Sequence, residues 1–313
     1  MDKIINRILN DSGCPELLEI LSGLKASDLQ SLLLKLYSDK TSKLTPGMVL
    51  RQYENNRFVI PVDIDPRQLI KFETLAFSLL PPGFEAILFP PLSPLGSCSV
   101  LGNVSQNNIV STIRNTELCS DSTNVMALES AKRRKKLKNE TVKLASFQRL
   151  TRAQNFENPA FSSHFSIFSL TTAGSTTANC ETLLDSLFEH IEFYLNFLKS
   201  GSDLGFAGDD AKIGITAINL NLKQKLQEKI INPLVRKYPD FTFEMDQARK
   251  SALNYYKDFA LAINIRSPLD GNYYQLVDGG NTDWTQKFLN NRKEFFLSSC
   301  IGIDLFLRRF ERL

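Results

Sequence analysis

Histidine is scarce here: His164 and His190 are the only two in 313 residues. With no CxxC and no HExxH beside them, zinc sites of the usual kinds are excluded. His190 sits in LLDSLFEHIEFYLNFL, whose apolar residues recur at helical spacing, and its expected place is the surface or boundary of that helix. The cysteines Cys14, Cys98, Cys119, Cys180 and Cys300 are odd in number and widely scattered, which argues for reduced thiols in a cytoplasmic protein. No GxSxG elbow and no GxxxxGK[ST] loop is present, so any chemistry must use a less compact site. No apolar run approaches the roughly 18 residues of a membrane span. The amino-terminal MDKIINRILNDSGCPELLEIL carries acids and amphipathic spacing, unlike a signal peptide. A net charge of +3 is too small to argue for nucleic acid or anionic lipid as a partner.

What is present suits an ordinary globular protein with a substantial core, since 42% of residues are hydrophobic and 23% charged. The segments IINRIL, CPELLEIL and ASDLQSLLLKLYSDK read as short helices, the last capped by Ser27, with Leu29, Leu32, Leu33 and Leu36 on one face. Thr45-Pro46 starts another helix, and DPRQLIKFETLAFSLLPPG a longer one, opened by Pro66 and closed by Pro81-Pro82. FEAILFPPLSPLGS reads as a short strand stopped by prolines, and NNIVSTIRNTEL as a strand by its alternation. Further strands are VKLASFQRLTRAQ, SSHFSIFSLTTAG and AKIGITAINL, with helices at CETLLDSLFEHIEFYLNFLKS and KQKLQEKIINPLVRKY. NYYKDFALAINI and YYQLVDGG form a hairpin across SPLDGN, and EFFLSSCIGIDLFLRRFERL a strand, a glycine and a final helix. The fold class is α+β, an antiparallel sheet flanked by helices.

One stretch admits two readings. In ELCSDSTNVMALESAKRRKKL, Asp121 or Ser122 caps a helix through Val125, Leu128 and Ala131, and the basic run Lys132 to Lys138 falls at its carboxyl end, where cations offset the helix dipole. The same polar turn is also suited to hold a ligand. The two are compatible, because a cap fixes where the acid points. Cys119, just before it, has no histidine to activate it as a nucleophile, and Trp284 is expected to be a packing anchor.

Taken in order from about residue 65 to 313, these segments resemble the catalytic core of class II aminoacyl-tRNA synthetases, above all the histidyl type and its paralogue, the regulatory subunit of ATP phosphoribosyltransferase. LIKFETLAFSLLPPGFEAILFPPL is similar to the family's first motif, which builds the dimer interface. SDSTNVMALESAKRR is similar to the acid-x-Thr turn that meets an amino acid's α-ammonium, and VKLASFQRLTRAQNFENPAFSSHFSIFSL to the second motif. ALNYYKDFALAI resembles the histidyl Leu-x-Tyr-Tyr strand, DGGNTDW its Gly-Gly-x-x-Asp turn, and SSCIGIDLFLRRF the third motif.

The resemblance implies a substrate site of Asp121, Thr123, Tyr255, Tyr256, Gly279 and Gly280. It implies a nucleotide side of Arg152, Gln154 and Asp304, with Arg152 catalytic if the protein is a ligase, and with ATP and Mg²⁺ as the cofactors of that case. A desolvated carboxylate binds an ammonium by a charge-assisted bond, arginine holds a carboxylate or phosphate in a fork, and glycines let backbone approach a ligand. It also implies a homodimer that binds an amino-acid-like small molecule. Residues 1–60 form a helical extension with no counterpart, residues 61–313 form the core, and no anticodon-binding domain is expected.

The sequence also departs from the pattern. The second motif's Arg-x-Glu is here Arg152-Ala153-Gln154, and the third motif's arginine is Leu305, with Arg308 and Arg309 about one helical turn on. The histidyl signature arginine maps to Ser251, beside Arg249 and Lys250, and the imidazole-reading Gln and Glu fall near Ile167 and Thr171. Losing phosphate-gripping guanidinium groups argues against histidine activation and against tRNA aminoacylation. Three functions follow as expectations: a ligand-binding paralogue that senses or presents a small molecule, a ligase activating a carboxylate for another acceptor, and a dimeric scaffold acting through residues 1–60.

Overall fold

The structure is a computed structural model that describes residues 2–137, 140–154, 162–176, 179–202, 205–206, 208 and 210–310. It opens with four helices, α1 (Asp2–Ser12), α2 (Leu17–Gly23), α3 (Ala26–Thr41) and α4 (Pro46–Asn55), none of which buries a residue. Thr45 caps α4 as expected, its side chain accepting from the Met48 amide. Ser27 is not the cap of α3. Lys25 holds that position, and Ser27 lies inside the first turn with its hydroxyl on Asp28.

Helix α5 (Pro66–Ser78) leads to β1 (Phe84–Ala86), β2 (Leu92–Pro94), α6 (Ser97–Leu101), β3 (Thr116–Leu118) and α7 (Ser122–Arg134). The strand expected over NNIVSTIRNTEL is mostly irregular. A 3₁₀ turn occupies Gln106–Asn108, Ser111 makes an isolated antiparallel bridge to Glu117 across a turn through Asn115 at φ 55°, and β3 pairs with β2. The alternation there reflects a two-stranded patch rather than the main sheet. The hairpin β4 (Val142–Thr151) and β5 (His164–Ser175) follows, then α8 (Glu181–Gly201) and β6 (Ala211–Ala217). One helix carries α9 (Lys223–Leu226), a π turn and α10 (Asn232–Lys237), before β7 (Thr242–Met245). The chain then forms β8 (Phe259–Arg266), β9 (Tyr273–Thr282), α11 (Trp284–Leu289), β10 (Glu294–Gly302) and α12 (Ile303–Phe310).

The main sheet has eight strands in the order β1-β4-β5-β10-β9-β8-β6-β7. The six inner strands pair antiparallel, and the short β1 and β7 add parallel edges. The architecture is α+β, as the alternating segments predict. Strand period two sends Ala145, Phe168 and Leu170 to one face, where α5, α8 and α12 bury them. There Phe72 packs on Phe197 and Phe306, with ring centroids 4.6 and 5.5 Å away. The other face carries α7, α11 and the cavity described below, over a smaller layer of Met126, Leu144, Trp284 and Phe296. Trp284 is a packing anchor, stacked 5.7 Å from Phe296.

His190 is a correction to the sequence reading: it is fully buried on the sheet-facing side of α8. Its Nε2 lies 2.9 Å from Thr172 Oγ1 and its Nδ1 2.8 Å from Ser299 Oγ. These strand hydroxyls let a neutral imidazole replace an apolar core residue. Burial, and secondarily Lys143, push its pKa down to about 3. The basic run of α7 also does more than offset a dipole. Arg133 pairs with Glu85 and Glu129, while buried Arg134 forks onto Glu294 at 2.7 and 2.9 Å. Lys138 and residues 155–161 lie outside the described residues.

Candidate functional site

The turn between β3 and α7 both caps the helix and presents an acid. Asp121 has extended backbone, and its Oδ1 accepts from the Thr123 amide at 2.9 Å and the Thr123 hydroxyl at 2.7 Å. Next to it, Ser122 Oγ lies 2.6 Å from Ser169 Oγ, which pins the helix start to β5. The second carboxylate oxygen accepts from the Tyr255 hydroxyl at 3.0 Å. Among the described residues no cation pairs with Asp121. Its charge faces a cavity of about 410 Å³.

A second carboxylate lines the same cavity. Asp278 on β9 accepts from the Tyr256 hydroxyl at 2.7 Å, from Gln275 at 2.8 Å and from Arg249 at 2.6 Å. Arg249 also donates to the carbonyls of Ser251 and Leu261, so the guanidinium beside the expected signature position is spent on protein groups. Tyr255 and Tyr256 lie before β8 rather than on the strand expected over NYYKDFALAINI. Both reach a carboxylate, their rings edge to face 5.0 Å apart.

Asp121, Thr123, Tyr255 and Tyr256 line one cavity together with Arg152 and Gln154, floored by β9 and β10 through Val277, Ser298 and Cys300. Arg152 donates Nε to the Ser120 carbonyl at 3.0 Å, one residue before Asp121, and its guanidinium lies 4.9 Å over Phe165. Gly279 and Gly280 are inside β9, not in a turn, and neither lines the cavity. A Cβ on Gly280 would sit 2.5 Å from the Tyr256 ring and from the Phe259 carbonyl; one on Gly279 would be 2.8 Å from Ser298 O and from Ser299 Cβ. These glycines admit protein rather than ligand.

The expected nucleotide side is only partly assembled. Asp304 is absent from the cavity lining. It is buried, accepts from the Ser166 amide at 2.8 Å and lies 3.8 Å from Arg149. Leu305 packs against the large core, and Arg309 pairs with Asp270. Ile167 presents an apolar side chain to the cavity, whereas Thr171 is buried within β5 and does not line it. Among the described residues no three His, Cys, Asp or Glu side chains gather to hold a metal ion. Of the three residues that the resemblance puts on the nucleotide side, Arg152 and Gln154 line the cavity and Asp304 does not.

Three thiols surround the acid. Burial, then the Asp121 charge, pushes Cys119 up to about 12, and burial followed by Asp121 and Asp278 raises Cys300 further. Cys98 is raised chiefly by burial. They therefore stay protonated at neutral pH and are poor nucleophiles. Burial followed by the neighbouring carboxylate likewise keeps Tyr255 and Tyr256 neutral donors. Asp278 and Arg249 escaped the sequence reading as site residues, although Asp278 directly precedes the glycine pair.

No protein-family model and no curated protein sequence matches the chain. Solved structures do. The fold is the class II synthetase-like core, an antiparallel platform flanked by helices. Within that class, similar structures include histidyl-tRNA synthetase from S. aureus, with a TM-score of 0.60 and 15% identity over 81% of this chain and 68% of that one. An ATP phosphoribosyltransferase regulatory subunit/histidyl-tRNA synthetase from Bacillus halodurans gives 0.60 and 14% over 80% and 82% of the two chains. The histidyl-tRNA synthetase from Nostoc gives 0.55 and 15% over 80% and 74%. At such identities the likeness is one of fold.

Proposed function

We propose that this chain is a divergent histidyl-tRNA-synthetase-like paralogue that binds an amino acid or similar amine-bearing molecule to sense or present it, without aminoacylating tRNA. One observation carries the reading. Asp121 is oriented by Thr123 and Tyr255 at the cavity and has no cationic partner among the described residues. A ligand ammonium would supply that partner by a charge-assisted bond. Leu305, partly buried against the core in place of a third-motif arginine, supports the absence of adenylate chemistry. In this reading residues 1–60 are an extension on a core of residues 61–313. The first-motif face then meets a second copy through residues such as Leu88, now 91% exposed.

Thermal shift and calorimetry against the amino acids, each with and without ATP-Mg, test the reading. An amino acid at about 100 times its Kd should stabilise the fold by roughly 2.7 kcal/mol, with or without ATP. Pyrophosphate exchange supported by any amino acid would overturn it. Arg152 in the same cavity as Asp121 favours a second reading, a ligase that activates a carboxylate. That reading requires exchange that is lost in Arg152→Ala.

A further inference from the structure

The segment between α4 and α5 runs beside the connecting end of the β4–β5 hairpin, where β4 leaves and β5 begins, and is fastened there at two points. Arg57 donates to the Gln154 carbonyl at 3.1 Å, to Ser163 Oγ at 2.7 Å and to the Ala153 carbonyl. Its guanidinium also lies 4.4 Å over Phe58, and the Phe58 amide is held by Asn56 Oδ1 at 3.1 Å, so the side chain is preset for this grip. Three residues on, the Ile60 carbonyl lies 2.8 Å from His164 Nε2. The tautomer follows from geometry: His164 Nδ1 accepts from Arg149 at 2.9 and 2.6 Å, so Nε2 carries the proton that Ile60 receives. Arg149 is itself held by Ser166 Oγ at 3.0 Å.

What Arg57 grips is the cavity wall seen from behind. Arg152 and Gln154 line the cavity, and the carbonyl of Ala153 between them, with that of Gln154 itself, ends on Arg57. The Arg152 amide in turn bonds Ser163 O at 2.8 Å, and Arg57 holds the hydroxyl of that same serine. One guanidinium thus joins both legs of the hairpin at the point where its side chains enter the site. None of the four helices before it buries a residue, and α3 makes one further hydrogen bond to the core, from Asn115 Nδ2 to Gln30 Oε1 at 3.4 Å.

The geometry points to Arg57 as a positioning residue. Residues 56–60 are a strap that fixes the Arg152–Gln154 wall, and through it the amino-terminal helices are coupled to the cavity. This deepens the ligand-binding reading above and rests on it for the ligand arm only.

The test uses the full chain and a ligand-free readout, the rate at which a small alkylating reagent modifies each thiol, resolved by mass spectrometry. Cys300 lines the cavity, whereas Cys180 packs against the opposite layer and reports general loosening. Arg57→Met, which keeps the stem over Phe58, should speed Cys300 modification about tenfold and leave Cys180 unchanged. Arg57→Lys, with charge but no fork, should behave like Met. His164→Ala should move Cys300 in the same direction through the second latch, and it carries the test if the Arg57 variants fail to fold. Unchanged Cys300 rates, or an equal rise at Cys180, overturn the proposal.

With L-histidine as probe, Arg57→Met should weaken binding about tenfold, the loss of two to three hydrogen bonds that hold the wall. Faster labelling with unchanged affinity would leave Arg57 merely structural and overturn its positioning role. If the wild type binds no amino acid, the proposed function fails, and the thiol rates still decide this inference.

Discussion

Two carboxylates share one cavity and one kind of neighbour, yet they are differently placed. Asp121 and Asp278 each accept a hydroxyl from one of two adjacent tyrosines, at 3.0 and 2.7 Å. Asp278 adds an ion pair to Arg249, whose side chain is only 4% exposed. Asp121 adds only the amide and hydroxyl of Thr123. One negative charge is therefore answered inside the fold, while the other is oriented at the cavity with no cationic partner among the described residues. The comparison teaches that a tyrosine–carboxylate contact does not define a ligand site; the partner on the remaining oxygen does.

Substitutions can break this contrast, and the largest effect is expected at Asp278. Asp278→Asn strands the buried Arg249 guanidinium and should lower unfolding free energy by about 2 kcal/mol in urea titrations, a value discounted because the Asp278 carboxylate is partly exposed. The tyrosines sharpen the contrast. Tyr255→Phe should weaken amino-acid binding about tenfold, measured by calorimetry, because Asp121 loses the donor that aims it. Tyr256→Phe should instead cost about 1 kcal/mol of stability with a smaller effect on binding, its hydroxyl serving the Asp278–Arg249 pair. Least affected should be the fold of Asp121→Asn, within about 0.5 kcal/mol of the parent, since asparagine caps a helix as well as aspartate does.

Much of this was legible in the sequence, and the exceptions share a cause. Strands with long alternation, such as β4 and β5, and the helix opened by Asp121 follow from local patterns that the tertiary structure reinforces. The cap that orients Asp121 is itself local, so the acid's direction was readable. Arg57 on the 153–154 carbonyls, Arg249 on Asp278, and His190 between two strand hydroxyls are contacts between distant segments, and no spacing rule signals them. Gly279 and Gly280 were misplaced for a related reason. Glycine marks a close approach in sequence without saying whether ligand or protein approaches, and here it is Tyr256 and β10. The third motif was readable in the other direction: Leu305, apolar where a guanidinium was expected, packs partly buried against the core.

The most direct measurement is calorimetric binding of an amino acid and of its des-amino analogue to the parent chain and to Asp121→Asn. If Asp121 receives an ammonium, the parent should prefer the amine by about 100-fold, in keeping with a charge-assisted bond at a desolvated site, and Asp121→Asn should abolish that preference while folding normally. A des-amino ligand bound as tightly as the amine by the parent, or an undiminished preference in Asp121→Asn, would contradict the account.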